Sequence, residues 1–504
     1  MQGKMDFLKD KIARIANSFV FYDITEKNPV STNSFLLLAQ AINQNIDSKS
    51  NILISLQGFS QSQYISKFAK FLQYSGHTIY EFDTPTSTPF MVDEYAMKLH
   101  KLDYLFKITV DSTNSLVRVH LYNKDLKPLN SESLNNIYQI YIQNKPFNFK
   151  FSAQPLVRLD FEGYVNILAG KEEILKPFVD IKPRYKTMSL LTHRNQQALK
   201  IMRKILTNYA NEYRIKNRKI SVKRLKIRLK LFKKTYSKLG ITNVIHFDEI
   251  NHMNSFFFVN NRYRFLDYHT LALVYLDFYL QEYKRAKFEV QKFKVLIPFD
   301  APYRIKELLK QYSVQYSYFD ENTYKDLLLD KSYVFAYNSQ GFIANPKYST
   351  EINNYYFFAC LIWMLNSYAN RNNLLNFKLE QIEQQFGRIK TITRTKKIKM
   401  YNNIALIRFC NYLAKQGNNK QFQHKIIGCW EGNRFYLFSA SNEKKHQIIF
   451  YYDFEKLELK AEIRFCMSYK YKNHFSVFDW VKALKYIQKT FSNFKIFIDK
   501  KIAK

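Results

Sequence analysis

The chain is expected to fold as α/β, with three tandem α/β domains followed by a small α+β C-terminal domain. Three observations lead there. Between residues 33 and 110, short buried strand-like runs alternate with helical runs, the order that builds a sheet with crossover helices. The alternation returns around residues 187–247 and again around 295–370. The last hundred residues then change to strand-like runs in succession, closed by one helix. The expected boundaries are 1–162, 163–285, 286–400 and 401–504.

In order, residues 33–46 read as an amphipathic helix and Asn51 to Leu56 as a buried strand. After a polar turn, Gln57 to Ser62, residues 63–75 follow helical period until Gly76 stops them. Thr78 to Phe82 is a strand, Thr84 to Pro89 a loop, and 90–100 a helix. The strand Leu105 to Val110 empties into a polar loop, Asp111 to Ser115, and an extended run, Leu116 to Tyr122, leaves it. A hydroxyl or carboxylate at such a strand end sits where open α/β sheets place ligands. Residues 163–193 read as a linker containing Pro177 and Pro183 that enters a strand at Thr187 to Thr192. Helices are expected at 196–210 and Ser221 to Gly240, and a strand at Val244 to Phe247. The third layer has strands Val295 to Pro298 and Tyr333 to Tyr337, with helices Pro302 to Tyr312 and 351–370. The final strands are Arg434 to Ala440, Gln447 to Tyr452 and Leu457 to Phe465, before a helix from Phe475 to Phe491.

Composition narrows the class. At 46% hydrophobic residues, the 504-residue chain can bury sizeable cores. Lys, Asn, Ile, Phe and Tyr abound, the pattern that A+T-rich codons produce, as in a mollicute. The formal net charge of +36 favours acidic partners: nucleic acid, anionic lipid or an acidic protein. Codon bias toward Lys on solvated faces explains the same number. Cys360, Cys410, Cys429 and Cys466 form no CxxC pair and fit a reducing cytosol. The N-terminal run MQGKMDFLKDKIARIANSF carries acidic residues and no long apolar core, unlike a signal peptide. Tyr355 to Leu365 is the longest apolar run and falls short of the ~20 residues a bilayer requires. A soluble cytoplasmic protein is expected.

The order of these elements, with Thr84-Pro85-Thr86-Ser87-Thr88-Pro89 before the helix and Lys124-Asp125-Leu126-Lys127-Pro128 after the loop, resembles the first domain of the α-D-phosphohexomutases, the phosphoglucomutases and phosphomannomutases. The resemblance implies three phosphohexomutase-like domains and a small fourth one. In that family a TASHNP loop carries the phosphorylated serine. Here Thr109 to Ser115 stands in its place, and the serine position falls on Asp111 or Ser112, depending on a one-residue gap. The magnesium loop DGDADR corresponds to Asp248-Glu249-Ile250-Asn251-His252, which keeps Asp248 alone of its aspartates. The sugar loop GEXSGH corresponds to Ala336 to Phe342, keeping Gly341. The phosphate loop RPSGTEP maps near Arg464 to Lys470, keeping Arg464 and Lys470. The charged turn GRDTR has become Ser55-Leu56-Gln57-Gly58-Phe59.

Phosphohexomutase chemistry needs a phosphoserine, a divalent metal, a sugar grip and a phosphate grip. Each slot has lost groups. Asp111 and Ser112 also suit an ordinary polar turn, and Mg²⁺ wants more hard oxygen ligands than Asp248 and Glu249 supply. Preorganised charge supplies most of the rate in such sites. The expectation is a phosphohexomutase-like pseudoenzyme with vestigial loops. No cofactor is expected, and Mg²⁺ enters only if a divergent enzyme survives.

The strongest positive feature is Arg194 to Gly240, with 16 basic residues and one acidic residue, Glu212. On a helix, Val222, Leu225, Leu229 and Phe232 form one apolar stripe, and Arg214, Lys216, Arg218, Lys219, Lys223, Arg224, Lys226, Arg228 and Lys230 present charge to an acidic partner. A core-docked helix with a solvated basic face is the plain alternative. A second basic stretch, Arg388 to Lys399, reads as a linker or a second contact. No nucleic-acid module motif is present. The expected role is a structural or adaptor subunit of a larger cytoplasmic assembly, such as a motility or ATPase-linked complex in a mollicute. The alternatives are a divergent sugar phosphomutase or sugar-phosphate binder using Ser112, and a basic protein that binds nucleic acid or anionic membrane.

Overall fold

Apolar runs buried on both faces make strands that need helices above and below them. The computed structural model describes residues 10, 12–24, 29–58, 62–83, 87–111, 115–144, 148–170, 188–194, 196–208, 212–216, 219–371, 375–400, 403–416, 423–442, 446–467 and 477–502. Two units emerge, residues 1–177 with 190–227 and 245–254, and residues 178–189 with 228–244 and 255–504.

The first unit opens with the hairpin β1 (Ile12–Ile15) and β2 (Ser18–Tyr22), which precedes α1 (Thr32–Asn43). Then come β3 (Asn51–Gly58), α2 (Ser62–Tyr74), β4 (Thr78–Phe82), α3 (Phe90–His100), β5 (Tyr104–Asp111) and β6 (Leu116–Asn123). α4 (Ser131–Gln143), β7 (Val157–Leu159) and α5 (Phe161–Ala169) follow. The seven strands lie in the order β1-β2-β6-β5-β3-β4-β7. β3 runs parallel to β4 and β5, while β6 pairs antiparallel with β5 and β2. Phe35 of α1, Phe68 of α2 and Ile137 of α4 share one core with Phe21, Phe106 and Val119 of the sheet. Polar side chains start these helices: Ser31 accepts from Ser34 N, Asn130 from Ser133 N and Asp160 from Gly163 N, each filling an orphan donor of the first turn.

The second sheet has the order β12-β11-β10-β8-β9. It is built from β8 (Met188–His193), then α6 (Gln196–Asn208), β9 (Tyr213–Ile215), α7 (Val222–Leu231), α8 (Lys233–Lys238), β10 (Ile241–Phe247), β11 (Met253–Val259) and β12 (Arg262–Leu266). α9 (Tyr268–Arg285) follows and is capped by Asp267.

A third sheet, in the order β14-β13-β15-β16, uses β13 (Lys294–Ile297), α10 (Tyr303–Gln311), β14 (Gln315–Tyr318), α11 (Tyr324–Leu328), β15 (Tyr333–Tyr337) and β16 (Phe342–Ile343). α12 (Asn354–Asn370) buries nearly every residue, so the apolar run at 355–365 is a core helix. No helix among the described residues is long and apolar enough to cross a membrane. After α13 (Leu375–Phe386) comes an antiparallel sheet ordered β17-β21-β20-β19-β18. Its elements are β17 (Arg388–Lys397), α14 (Ile404–Gln416), β18 (Gln423–Glu431), β19 (Arg434–Ser441), β20 (Gln447–Asp453), β21 (Glu458–Met467) and α15 (Val477–Ile502).

Three expectations need correction. The linker assigned to 163–193 begins as α5, capped by Asp160; Pro177 and Pro183 lie outside the described residues. The single helix expected over 221–240 is two helices, because Phe232 leaves helical geometry at φ −103°, ψ 22°. Leu225 and Leu229 stay buried, whereas Phe232 is turned outward. The basic stretch 388–399, expected as a linker or a second contact, is a strand over most of its length and not a linker. Its residues 388–397 pair along their whole length with β21, from Arg388 opposite Met467 to Lys397 opposite Glu458.

Candidate functional site

Within the first unit, the ends of β3 and β5 meet the turn after β10. Gly58 closes β3 at φ +96°, and a Cβ there would run into the Val110 carbonyl of β5. Only glycine permits this approach. The preceding residue, Gln57, donates from Nε2 to Ile250 O at 2.5 Å and accepts from Thr109 Oγ1 at 3.4 Å. Ser87 Oγ accepts from Gly58 N at 3.1 Å and donates to Glu249 O at 2.9 Å. The residue after Ser87 is also tied down: Thr88 N donates to Leu56 O at 2.7 Å, and Lys107 Nζ donates to Thr88 O at 2.9 Å while pairing with buried Asp93.

The turn itself is organised by Asp248. Its Oδ1 accepts from Ile250 N at 3.0 Å and His252 N at 2.9 Å, and its Oδ2 lies 3.6 Å from His252 Nδ1. Asn251 takes the left-handed conformation that closes such a turn, at φ +62°. Glu249 pairs with Arg194 at 2.7 Å. Burial raises the Asp248 pKa, His252 and the two amides pull it back, and the Asp111 carboxylate nearby raises it further. Asp111 is itself buried at the end of β5. Asp111 and Asp248 therefore lie near enough for their charges to interact. Ser112 lies outside the described residues. Beneath the turn, His246 bonds Thr192 Oγ1 at 3.0 Å and is pushed down to about 3 by burial and by the adjacent His193 and Arg194 charges, so it is neutral.

Within the second unit, the sugar-loop position is a closed turn. Asn338 Oδ1 accepts from Gln340 N at 2.8 Å and Gly341 N at 3.2 Å. Gly341 has φ +157°, and a Cβ there would collide with the Asn354 side chain. Ser339 N donates to Glu431 Oε1 at 3.2 Å, and Gln340 Nε2 donates to Asn433 Oδ1 at 3.1 Å. The loop's outward amide and side chain are thus engaged by the β18–β19 turn.

Arg464 was expected near a phosphate loop. It sits instead inside β21, opposite Gln447 of β20, and is buried. Its NH2 contacts Glu462 Oε1 at 2.7 Å, His269 Nε2 at 3.0 Å and Asp300 Oδ2 at 3.4 Å. Tyr268 OH donates to the same Asp300 oxygen at 2.8 Å, and Arg434 NH1 lies 3.7 Å from it. Burial raises the Asp300 pKa, but His269, Arg464 and Arg434 outweigh it and hold the carboxyl far below its usual range. Burial pushes Glu431 up to about 8, with Asp300 adding to the rise. Lys470 lies outside the described residues. Sequence reasoning missed Asp300, Glu431 and His269; nothing local in the chain marks them as partners.

Of the basic segment, Arg214 and Lys219 are exposed, and Lys216 is half-buried. On α7, Lys223, Arg224, Lys226 and Lys230 are exposed, while Arg228 lies over the Phe232 ring at 5.6 Å. Arg218 lies outside the described residues. No group of three or more His, Cys, Asp or Glu able to hold a metal occurs among the described residues.

No family model matches the sequence, and no curated protein matches it. Solved structures do match in fold. A phosphoglucomutase/phosphomannomutase family protein from Burkholderia thailandensis superposes with TM-score 0.66 at 10% identity, over 95% of this chain and 97% of that one. A proposed phosphomannomutase from Thermus thermophilus gives 0.62 at 12% identity, over 91% and 96%. The exocytosis-sensitive phosphoprotein parafusin, a phosphoglucomutase from Paramecium, gives 0.62 at 10% identity, over 92% of each chain. The chain has the multi-domain fold of the phosphohexomutases across nearly its whole length.

Proposed function

We propose that this protein is a non-catalytic phosphohexomutase-like subunit that serves as an adaptor in a larger cytoplasmic assembly. One observation carries the reading: the polar groups left at the described catalytic positions are engaged internally. Asp248 braces its own turn, Ser339 and Gln340 are held by Glu431 and Asn433, and Arg464 is buried among carboxylates. Catalytic charges must instead face a developing transition state. Each of the four sheets is taken to mark one domain, with Arg388 to Lys397 assigned to the last.

The adaptor surface is the basic face of α7. Four exposed cations surround Ile227 and Leu231, which are exposed at 55% and 71%. An acidic protein surface with an apolar centre complements this arrangement. A motility or ATPase-linked machine is one assembly that such a subunit would serve.

The nearness of Asp111 and Asp248 favours a second reading, a divergent sugar phosphomutase or sugar-phosphate binder using Ser112 with Mg²⁺. The test is turnover of glucose 1-phosphate and mannose 1-phosphate with Mg²⁺ and a hexose bisphosphate primer, together with intact mass before and after priming. The adaptor reading expects no turnover and no phosphoryl adduct, and stoichiometric partners on native purification. Turnover that Ser112→Ala abolishes would establish the enzyme instead.

A further inference from the structure

Away from the loops that the family resemblance singles out, the second unit holds a cavity of about 520 Å³. That lies within the ~300–1,000 Å³ range of small-molecule sites. The cavity is lined from α10 and the strand end before it, from β14, and from one end of the β18–β20 ladder. Its floor is aromatic. Phe299 lies flat on Tyr318, with centroids 5.2 Å apart and planes 13° apart, and Ile427 extends the apolar surface.

Two ammonium groups stand at this floor. Lys306 Nζ is 5.5 Å and Lys425 Nζ 5.1 Å from the Tyr318 ring centroid, and Lys306 donates to the Tyr318 hydroxyl at 3.3 Å. Among the described residues, neither pairs with a carboxylate. Burial lowers the Lys306 pKa and the Arg464 charge adds to the fall, while Tyr316 and the Asp300 carboxylate offset part of it. A bound anion would oppose that fall. Ser441 and Gln447 add uncharged hydrogen-bonding groups to the lining.

We infer that this cavity binds a small anion carried on a planar aromatic ring, of the nucleoside monophosphate type. The phosphate sits between Lys306 and Lys425, and the ring lies against the Phe299–Tyr318 floor. Inorganic phosphate would answer the two cations but leave the aromatic floor bare. A hexose phosphate would set hydroxyl groups against Phe299 and Ile427. A planar ring with a dianion satisfies both halves, since every base has a face that stacks on an aromatic side chain. The inference does not depend on whether the degenerate loops retain catalysis.

The test is calorimetric titration of the full chain with AMP at low salt, with inorganic phosphate, adenosine and glucose 1-phosphate as comparisons. AMP is expected to bind at least about tenfold more tightly than each comparison. Lys425→Glu, on the exposed face of an edge strand, should weaken AMP about tenfold or more, as loss of a charge-assisted contact does. Tyr318→Leu should weaken AMP while leaving inorganic phosphate unchanged. Circular dichroism checks that both variants fold. No AMP binding, an unchanged affinity in Lys425→Glu, or glucose 1-phosphate or phosphate binding as tightly as AMP would each overturn the inference.

Discussion

Glu431 is a carboxylic acid held at the heart of a sheet-to-loop contact. It is fully buried, and one oxygen accepts the Ser339 amide. Burial and the Asp300 charge raise its pKa from 4.5 to about 8. The folded chain therefore holds a proton here that the unfolded chain releases above about pH 4.5. Stability from this group is complete below 4.5 and is lost as pH rises through 8. Glu431→Gln removes that titration while keeping an oxygen for Ser339 N. The variant should match the parent near pH 5 and exceed it at pH 8 by on the order of 1–3 kcal/mol. Urea unfolding at both pH values measures this, and a variant that loses stability at pH 8 as steeply as the parent would contradict it. Residue-level legibility was uneven for a related reason. Asp248 stood out in the chain only through the resemblance of its stretch to the phosphohexomutase magnesium loop. Asp300 and Glu431 carry no local signal, since their meaning comes from Arg434, Arg464 and each other across long loops of sequence.

Elements with a buried face were the readable ones. The helix at Phe90–His100 and the strand at Tyr333–Tyr337 have the bounds that their apolar patterns predict. Gly76, at φ +104°, stops α2 as expected. β17 was misread because an edge strand with both faces wet has no apolar alternation to see. Eight of its ten residues are Arg, Lys or Thr, and only three are even half-buried. The charge now has a structural explanation: basic side chains on an edge strand block pairing with a second chain. Arg394→Val together with Lys397→Val should leave unfolding of the monomer nearly unchanged and promote self-association at micromolar concentration. Light scattering behind a sizing column reads the outcome. A variant that stays monomeric at high concentration would return this stretch to the candidate partner surfaces.

At the scale of the whole molecule, the net charge of +36 has an energetic consequence that does not depend on any single pair. Like charges repel more strongly in the compact state than in the expanded one, so the charge opposes folding at low ionic strength. The buried pairs, such as Arg464 with Asp300 and Lys460 with Asp453, are screened little by salt. Exposed cations such as those of α7 are screened strongly. Going from about 10 mM to about 100 mM NaCl shortens the Debye length from ~30 to ~10 Å, so the midpoint of thermal unfolding should rise by a few degrees. An acidic partner would act in the same direction, by supplying counter-charge to the folded form alone. Poly-glutamate at low salt should therefore also raise the midpoint, and added NaCl should erase that gain while keeping its own. Differential scanning fluorimetry over a salt series, with and without poly-glutamate, separates the two effects. A midpoint that falls with salt would mean that attractive surface pairs outweigh repulsion, and the acidic-partner proposal would then lose its driving force.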